Sequence, residues 1–446
     1  MTTDAASSSK RNARFYTLGC KVNQYETQAI RESFERKGVR DAEGDREALC
    51  DFVVLNTCTV TEDADKTNRY WIRRLRREHP GACLVVTGCY VKRNRKEIEA
   101  MPEVDHIFTN DEKSVLADRL LEDAGKVQED ESQEFLNFSP LAISKSEGRT
   151  RAYVKIQDGC NHLCSFCKVA LVRGRSRSRV LSEIKEEVIR LRDAGYREVI
   201  LTGIQLGAYG LDLQHFPSDP LLEVVSVCAR VEGIERIRLS SIELTDLNQS
   251  LRDAFRSFPK LCPHLHIPLQ SGDNEVLRRM NRRYTREMYR DVVLELQAKV
   301  PDFSLSIDVM TGFPGETEEQ FQNTLELLNL VKPLKSHVFP YSRREGTQAA
   351  AFGILPLQVV RDRVRRMIAW TDNLSQGIRC NYLGRSFEVL VEHRDERTGI
   401  WVGHTANFLK VFFEFPQDIQ GCMITARLEK LLHEGFYGVV TTKESA

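Results

Sequence analysis

No run of apolar residues in this chain approaches bilayer length, so no transmembrane helix is expected. The opening stretch, Met1-Thr2-Thr3-Asp4-Ala5-Ala6-Ser7-Ser8-Ser9-Lys10, has no apolar core of signal-peptide length. It reads as a disordered tail (1–13) on a cytoplasmic protein with no membrane partner. Net charge is also missing: 64 Lys and Arg balance 64 Asp and Glu, so no global field announces a nucleic-acid partner and any basic surface must be local. Without an export signal, the twelve cysteines argue for metal or redox chemistry rather than for a disulfide framework. With 446 residues the chain is long enough for several cores, and two or three domains are expected.

What is present centres on one loop, Cys160-Asn161-His162-Leu163-Cys164-Ser165-Phe166-Cys167, with the spacing C-x3-C-x2-C. The strand-like run Tyr153-Val154-Lys155-Ile156 precedes it, then Gln157-Asp158-Gly159 as a turn. Thiolates this close together hold iron–sulfur clusters, but a cubane needs four ligands and no fourth cysteine lies nearby. One reading is therefore a cluster with one iron left open. Another is a closed zinc site completed by His162, and a third is three small buried apolar side chains.

Upstream, three strand-like runs each end in a cysteine: Phe15–Cys20, Phe52–Cys58 and Cys83–Cys89. A helix over 24–37, stopped by Gly38, separates the first two. A basic helix carrying Arg69, Arg73, Arg74, Arg76 and Arg77 separates the others. Alternating strands and helices imply a parallel sheet whose C-terminal strand ends share one edge. Cys20, Cys58 and Cys89 would then meet at a shared metal site, while Cys50 and Cys83, at strand starts, read as ordinary buried thiols. The arginines read as a solvated face or as a phosphate-contacting helix. Around 121–148 the pattern dissolves into an acidic stretch (Glu122, Asp123, Glu129, Asp130, Glu131, Glu134), as expected of a linker or strap.

After the cysteine loop, the run from Arg173 to Arg179 reads as a solvated basic loop or a phosphate binder. Strands then alternate with helices to about Tyr341, giving about six strand–helix units, short of the eight of a full barrel. In such barrels chemistry sits at the C-terminal strand ends. Those ends carry Thr202 and Gly203, Ser241 and Glu243, Gln270-Ser271-Gly272, and Thr311 to Glu316, and Asp308 lies inside a strand. From about 382 to 441 the character changes to five short strands, which suggests a small OB-like barrel, a frequent nucleic-acid binder. The helix before it, with Arg361, Arg363, Arg365 and Arg366, could extend an RNA surface or simply be solvated.

Taken together, the cysteine loop, the partial barrel and the three strand-end cysteines resemble the methylthiotransferase family of radical S-adenosylmethionine enzymes. Gly19-Cys20-Lys21-Val22-Asn23-Gln24-Tyr25-Glu26, Asn56-Thr57-Cys58-Thr59-Val60-Thr61 and His266-Ile267-Pro268-Leu269-Gln270-Ser271-Gly272 are most similar to the subgroup that modifies threonylcarbamoyladenosine in tRNA. The resemblance spans residues 14 to 441. It implies an N-terminal parallel α/β domain (14–120), a linker (121–148), a central partial (βα)6 radical-SAM barrel (149–378) and a C-terminal OB-like, RNA-binding TRAM domain (379–441).

The resemblance implies two 4Fe-4S clusters, one on Cys160, Cys164 and Cys167 and one on Cys20, Cys58 and Cys89, facing each other across a substrate cavity. It also implies S-adenosylmethionine as cofactor and tRNA as partner; the electron donor and the sulfur source are not given by it. Thr202, Gly203, Ser241, Glu243, Gln270, Arg282 and Asp308 are the residues expected to hold S-adenosylmethionine or to position substrate. His162 becomes a loop residue. The implied reaction is 2-methylthiolation of N6-threonylcarbamoyladenosine next to the anticodon. Alternatives are a relative acting on isopentenyladenosine tRNA or a ribosomal-protein aspartate, and a zinc-stabilised, non-catalytic RNA-binding protein. The chain departs from the family pattern at Lys168, where an apolar residue is usual, and at Ala170 and Leu244, where proline is usual.

Overall fold

The structure is a computed structural model and describes residues 11–45, 47–59, 61–121, 138–146, 148–214 and 218–443. It divides into two compact units, one of Met1–Ser144 with Lys168–Gly174, the other of Lys145–Cys167 with Arg175–Ala446.

The first unit is a parallel sheet of β1 (Asn12–Thr17), β2 (Arg40–Asp41), β3 (Phe52–Thr57), β4 (Cys83–Gly88) and β5 (His106–Phe108), in the order β2-β1-β3-β4-β5. Strands β3 and β4 are apolar on both sides (Val53, Val54, Leu55; Leu84, Val85, Val86 all buried), as a sheet covered by helices on both faces requires. The helices are α1 (Lys21–Arg36), α2 (Glu62–Glu78), α3 (Cys89–Glu99), α4 (Leu116–Leu121) and, from the later pass of the chain, α5 (Val169–Arg173). β1 begins earlier than the sequence suggested: Asn12 and Ala13 belong to the sheet, with Ala13 fully buried, so they are strand rather than tail. Residues 1–10 of the expected tail, and the acidic 122–137 portion of the expected linker, lie outside the described residues.

The next segment, 138–144, acts as a strap on its own unit. Leu141 and Ile143 are buried, the Tyr25 hydroxyl donates to the Leu141 carbonyl at 2.9 Å, and the Ser144 N–H donates to the Glu32 carboxylate at 2.9 Å. The basic face of α2 is largely spent locally: Arg69 bonds Tyr90 and Glu97, Arg74 pairs with Glu78, and Arg76 donates to the Glu103 and Ala82 carbonyls.

In the second unit, β6 (Arg151–Lys155) leads into a two-stranded hairpin, β7 (Gln157–Asp158) with β8 (Arg177–Ser178). Then come α6 (Leu181–Asp193), β9 (Glu198–Thr202), α7 (Pro220–Ala229), β10 (Arg236–Leu239), α8 (Gln249–Ser257), β11 (His264–His266), α9 (Asn274–Arg279), α10 (Arg286–Lys299), β12 (Ser304–Thr311), α11 (Glu318–Val331), β13 (Lys335–Pro340) and α12 (Leu357–Cys380). Strands β6, β9 and β10 form one parallel sheet and β11, β12 and β13 another. Parallel bridges Ile237↔Leu261 and Ser241↔His266 join them, so six strands run as one open, curved parallel wall. Side-chain caps start most of the outer helices: Asp219 for α7, Asn248 for α8, Asp273 for α9, Thr285 for α10, and Thr317 with a full capping box for α11.

The chain ends in a closed barrel, β14 (Ser386–Arg394), β15 (Trp401–Thr405), β16 (Lys410–Phe413), β17 (Met423–Leu432) and β18 (Gly435–Lys443), in the order β14-β15-β16-β18-β17. Its core is Val389, Val391, Trp401, Val411, Phe413, Ile424, Leu428 and Phe436. Closure removes the sheet edges that five short strands would otherwise expose.

Candidate functional site

In the first unit the three cysteines follow three neighbouring strands of the sheet. Cys20 follows β1 and precedes α1, Cys58 follows β3, and Cys89 follows β4 as the first residue of α3. Two glycines allow the strand ends to crowd. Gly19 has φ +101, and a Cβ there would lie 2.7 Å from Cys58 Cβ. Gly88 has φ +106, and a Cβ there would lie 2.4 Å from the Thr57 carbonyl oxygen. Cys58 and Cys89 are buried and Cys20 is exposed. Polar groups approach two of them: the Asn68 side chain accepts the Cys58 N–H at 3.4 Å, and Asn110 Nδ2 stands 3.7 Å from Cys89 Sγ.

A buried charge network holds this corner. Glu26 takes Lys113 and Arg173, and Arg173 also bonds Asn23 at 2.6 Å, all of them buried. Arg173, Arg177 and Arg179 are therefore not the solvated loop that their run suggested; Arg177 and Arg179 pair with Asp158 and with Glu187 in the second unit. An ionised side chain in an apolar interior survives only when paired, and each of these has its partner.

The Cys160 loop emerges from the β7 turn, and a single side chain braces it. Gln157 is fully buried; its amide donates to the Asp158 and Gly159 carbonyls and to Ser176 Oγ, and its oxygen accepts the Ile204 and Gln205 N–H groups. Thr202 and Gly203, at the end of β9, close onto this brace, and a Cβ at Gly203 would lie 2.8 Å from Gln157 Oε1. Gln205 in turn reaches the loop: its oxygen accepts the Asn161 N–H at 3.2 Å and lies 3.4 Å from Cys160 Sγ, while its nitrogen lies 2.9 Å from His162 Nε2. His162, considered as a fourth ligand, is thus engaged with Gln205. Phe166 anchors the far end of the loop in the cluster of Val276, Met280, Met310 and Phe313.

Two donors point at the loop sulfurs. The His162 N–H approaches Cys160 Sγ at 3.3 Å, and Arg282 Nη1 approaches Cys164 Sγ at 3.4 Å. Arg282 also bonds Tyr284 Oη at 3.2 Å and pairs with Glu243. A narrow cleft with room for about 10 Å³ opens here, lined by His162, Cys164, Glu243, Arg282 and Tyr284 among others. Burial pushes the Cys160 thiol up to about 11, so a bare thiol stays protonated near neutral pH and metal binding must expel its proton.

The remaining predicted residues gather on the strands. Ser241 Oγ lies 3.2 Å from His266 Nδ1, and Asp308 Oδ1 lies 3.1 Å from His266 Nε2. Gln270 sits at φ +63, with its side-chain oxygen buried and unpartnered. Glu243 and Arg282 therefore meet beside Cys164, Ser241 and Asp308 meet at His266, and Thr202 and Gly203 are gathered by Gln157. Sequence reasoning missed Gln157, which read as part of a turn, and Gln205. It also missed His337, which the strand register sets opposite Asp308.

The spread of the thiols bears on whether one metal ion could bridge them. Among the described residues, neither cysteine trio brings three ligand atoms within 4.8 Å of one another. A tetrahedral zinc, with Zn–S about 2.3 Å, needs sulfurs about 3.8 Å apart. Thiols spread wider than this suit a cluster, which takes each thiolate on a different iron. The nitrogen donors beside Cys160 and Cys164 stand where hydrogen bonds to cluster sulfurs are made in iron–sulfur proteins.

Comparison with known proteins shows the family. The Radical SAM superfamily profile matches residues 154–328, and that of Uncharacterized protein family UPF0004 matches residues 12–109. A Bacillus subtilis protein named threonylcarbamoyladenosine tRNA methylthiotransferase MtaB is 38% identical over 424 residues, 93% of each chain. The chain belongs to the radical S-adenosylmethionine methylthiotransferase family. A second methylthiotransferase, the tRNA-2-methylthio-N(6)-dimethylallyladenosine synthase of Carboxydothermus hydrogenoformans, is 32% identical over 94% of this chain and 97% of its own. Among solved structures, the radical S-adenosylmethionine methyltransferase TsrM of Kitasatospora setae superposes with a TM-score of 0.54 at 14% identity, over 76% of this chain and 77% of that one, which shows the shared fold. As a methylthiotransferase the chain is an enzyme that transfers a sulfur-containing group with an iron–sulfur cluster and S-adenosylmethionine, so the reading as a non-catalytic zinc protein does not hold.

Proposed function

We propose that this enzyme converts N6-threonylcarbamoyladenosine next to the anticodon of tRNA into its 2-methylthio derivative. The observation that carries this is the match along almost the whole chain to relatives named for that substrate. Cys160, Cys164 and Cys167 would hold one 4Fe-4S cluster, and Cys20, Cys58 and Cys89 a second. At the Cys160 loop, a cluster with one open iron would supply the one-electron reduction of S-adenosylmethionine on which this chemistry depends.

The chain's own residues orient and enclose. Gln157 and Gln205 fix the loop so that its thiols present in one arrangement. Arg282, held by Glu243 and Tyr284, brings positive charge beside Cys164, where the carboxylate of S-adenosylmethionine needs a partner. Thr202, Gly203, Ser241 and Gln270 supply polar groups along the same strand ends. The closed barrel from 379 to 441 would serve as the RNA-binding TRAM domain.

The test is mass spectrometry of tRNA nucleosides from a deletion strain. Loss of 2-methylthio-threonylcarbamoyladenosine is expected, and unchanged levels would refute the substrate. Loss of the dimethylallyl counterpart instead would favour the second reading, which the Carboxydothermus relative supports. Anaerobically purified protein should carry about eight irons per chain if both clusters are cubanes; about four would leave only one.

A further inference from the structure

The inner face of the six-stranded wall is polar in layers. Side chains alternate along each strand, so residues two apart share that face. The lowest layer is fixed by contacts with the Phe408 ring: His264 on β11 stacks on it at 4.6 Å, and Lys335 on β13 lies over it at 5.9 Å. Ser304 on β12 belongs to the same layer, since its hydroxyl donates to the Asn407 carbonyl beside that ring. Two residues further along β11 and β13, and four along β12, the same face carries His266, His337 and Asp308. Register confirms the neighbourhood, pairing His264 with Ser304, His266 with Ser306 and Asp308 with His337.

Ligand-type atoms of His266, Asp308 and His337 all lie within 4.8 Å of one another, the one such trio found among the described residues. His266 Nδ1 is taken by the Ser241 hydroxyl at 3.2 Å, which turns Nε2 inward. That Nε2 is 3.1 Å from Asp308 Oδ1, yet it is buried without a hydrogen-bond partner. The two atoms are close but not aimed at each other, as when both are directed at a common point. The imidazoles of His266 and His337 tilt at 32° with centroids 5.5 Å apart.

We propose that His266, Asp308 and His337 bind one divalent cation, separate from any iron–sulfur cluster. Ligand atoms about 2.0–2.1 Å from such an ion stand about 3 Å apart, as Nε2 and Oδ1 already do. Two imidazoles and one carboxylate on one side, with further positions open, suit a borderline ion such as Mn2+, Fe2+ or Zn2+. The Ser241 hydroxyl is the outer partner that a ligating histidine usually has on its other nitrogen, fixing its tautomer and orientation. With neutral imidazoles the trio carries one negative charge; an ion turns this to one positive charge. Its open positions lie on the side of His337, the exposed member of the three, where water or a carboxylate oxygen of a bound molecule could complete the shell.

The test uses anaerobically reconstituted holoprotein freed of loose metal and titrated with Mn2+, reading the free ion by electron paramagnetic resonance. The wild type should take up one Mn2+ per chain with a dissociation constant below about 100 μM, modest because Mn2+ sits low in the affinity order. Asp308→Asn and His337→Ala should each weaken this at least tenfold. Unchanged iron content and circular dichroism show that a variant still folds, and His337, being exposed, is the safer of the two to change. No uptake by the wild type, or uptake that both variants retain, overturns the proposal and leaves His266 and Asp308 as a simple ion pair. Because the readout is metal binding, the result does not depend on which tRNA nucleoside is modified.

Discussion

Gly88 shows how one residue can set the corner to which Cys58 and Cys89 belong. It ends β4 and immediately precedes Cys89, with φ +106 and ψ −170, a region that only glycine occupies without cost. Its hydrogen faces the backbone of β3: an added methyl would stand 2.4 Å from the Thr57 carbonyl oxygen and 2.5 Å from the Thr57 nitrogen. Neither atom can retreat, because both belong to the central strand. Gly38 is the natural contrast, with φ +80 but nothing within 4 Å of a methyl group added there. Gly38→Ala should therefore cost only the left-handed backbone penalty, about 1–2 kcal/mol. Gly88→Ala should cost about 3 kcal/mol or more, adding the clash to the strain, and, with the cluster proposed on Cys20, Cys58 and Cys89, should lower the iron bound per chain. Urea unfolding of the two variants measures the difference; equal costs would mean that β3 and β4 do not approach this closely.

At the scale of the element, strands β6, β9 and β10 carry charge where apolar side chains would be expected. Glu198 on β9 is fully buried and is paired with Arg238 at 2.7 Å and Arg236 at 3.8 Å, both on β10. Burial alone would raise its carboxyl, but Arg238, Arg151 and Arg236 outweigh that and hold it at about 2, against an ordinary 4.5. A carboxyl depressed on folding stabilises the fold above its unfolded value, and this contribution disappears as pH falls through the folded one. Stability should thus drop between pH 4.5 and 2, by about 3 kcal/mol from this group at most. Glu198→Gln should remove that part of the acid dependence and destabilise at neutral pH by about 3–5 kcal/mol, since it leaves buried arginines short of charge. Chemical denaturation at pH 7 and pH 3 distinguishes the two effects, and a variant with wild-type acid sensitivity would show that the carboxyl is not depressed.

Elements like these also mark where sequence reading ended. The helices α6, α7, α8, α10 and α11 and the strands between them were legible because long periodic runs alternate with Gly, Pro and cap residues, whereas the short helix α9 was not read. The strand-end cysteines were legible because a parallel sheet brings one end of every strand to a single edge. The brace made by Gln157 was not, since its hydrogen bonds reach Ser176 and Gln205, 19 and 48 residues away. Nor was the burial of Arg173 and Arg179: a run of arginines carries no sign that Glu26, far back on α1, and Glu187, on α6, neutralise them. His337 stayed hidden because its meaning depends on which residue of β12 lies beside it.

Across the whole second unit, the closed terminal barrel meets the floor of the strand wall around one aromatic ring. Phe408, on the turn between β15 and β16, adopts φ +67 and stacks between His264 at 4.6 Å and His404 at 5.0 Å. Guanidinium groups of Arg238 and Arg151 lie 5.1 and 5.5 Å from its centre. Around it, Arg236 donates to the His404 carbonyl at 3.1 Å and to the Glu388 carboxylate at 2.9 Å, and Arg238 donates to the Ala406 carbonyl at 2.9 Å. The ring covers the same arginines that hold Glu198, so docking of the terminal barrel keeps water from that buried charge set. An uncommon backbone conformation at a phenylalanine is tolerated only where surrounding contacts over-determine it. Phe408→Ala removes the stacking and cation–π contacts and opens the floor, at an expected cost of about 3 kcal/mol. Because the loss falls on the junction rather than on either core, scanning calorimetry should show the terminal barrel melting at a lower temperature, as a separate peak from the strand wall. Phe408→Tyr, which retains the ring, should melt as the wild type does. A single, uniformly shifted transition in the alanine variant would show that the two parts are coupled by their other contacts and not through this ring.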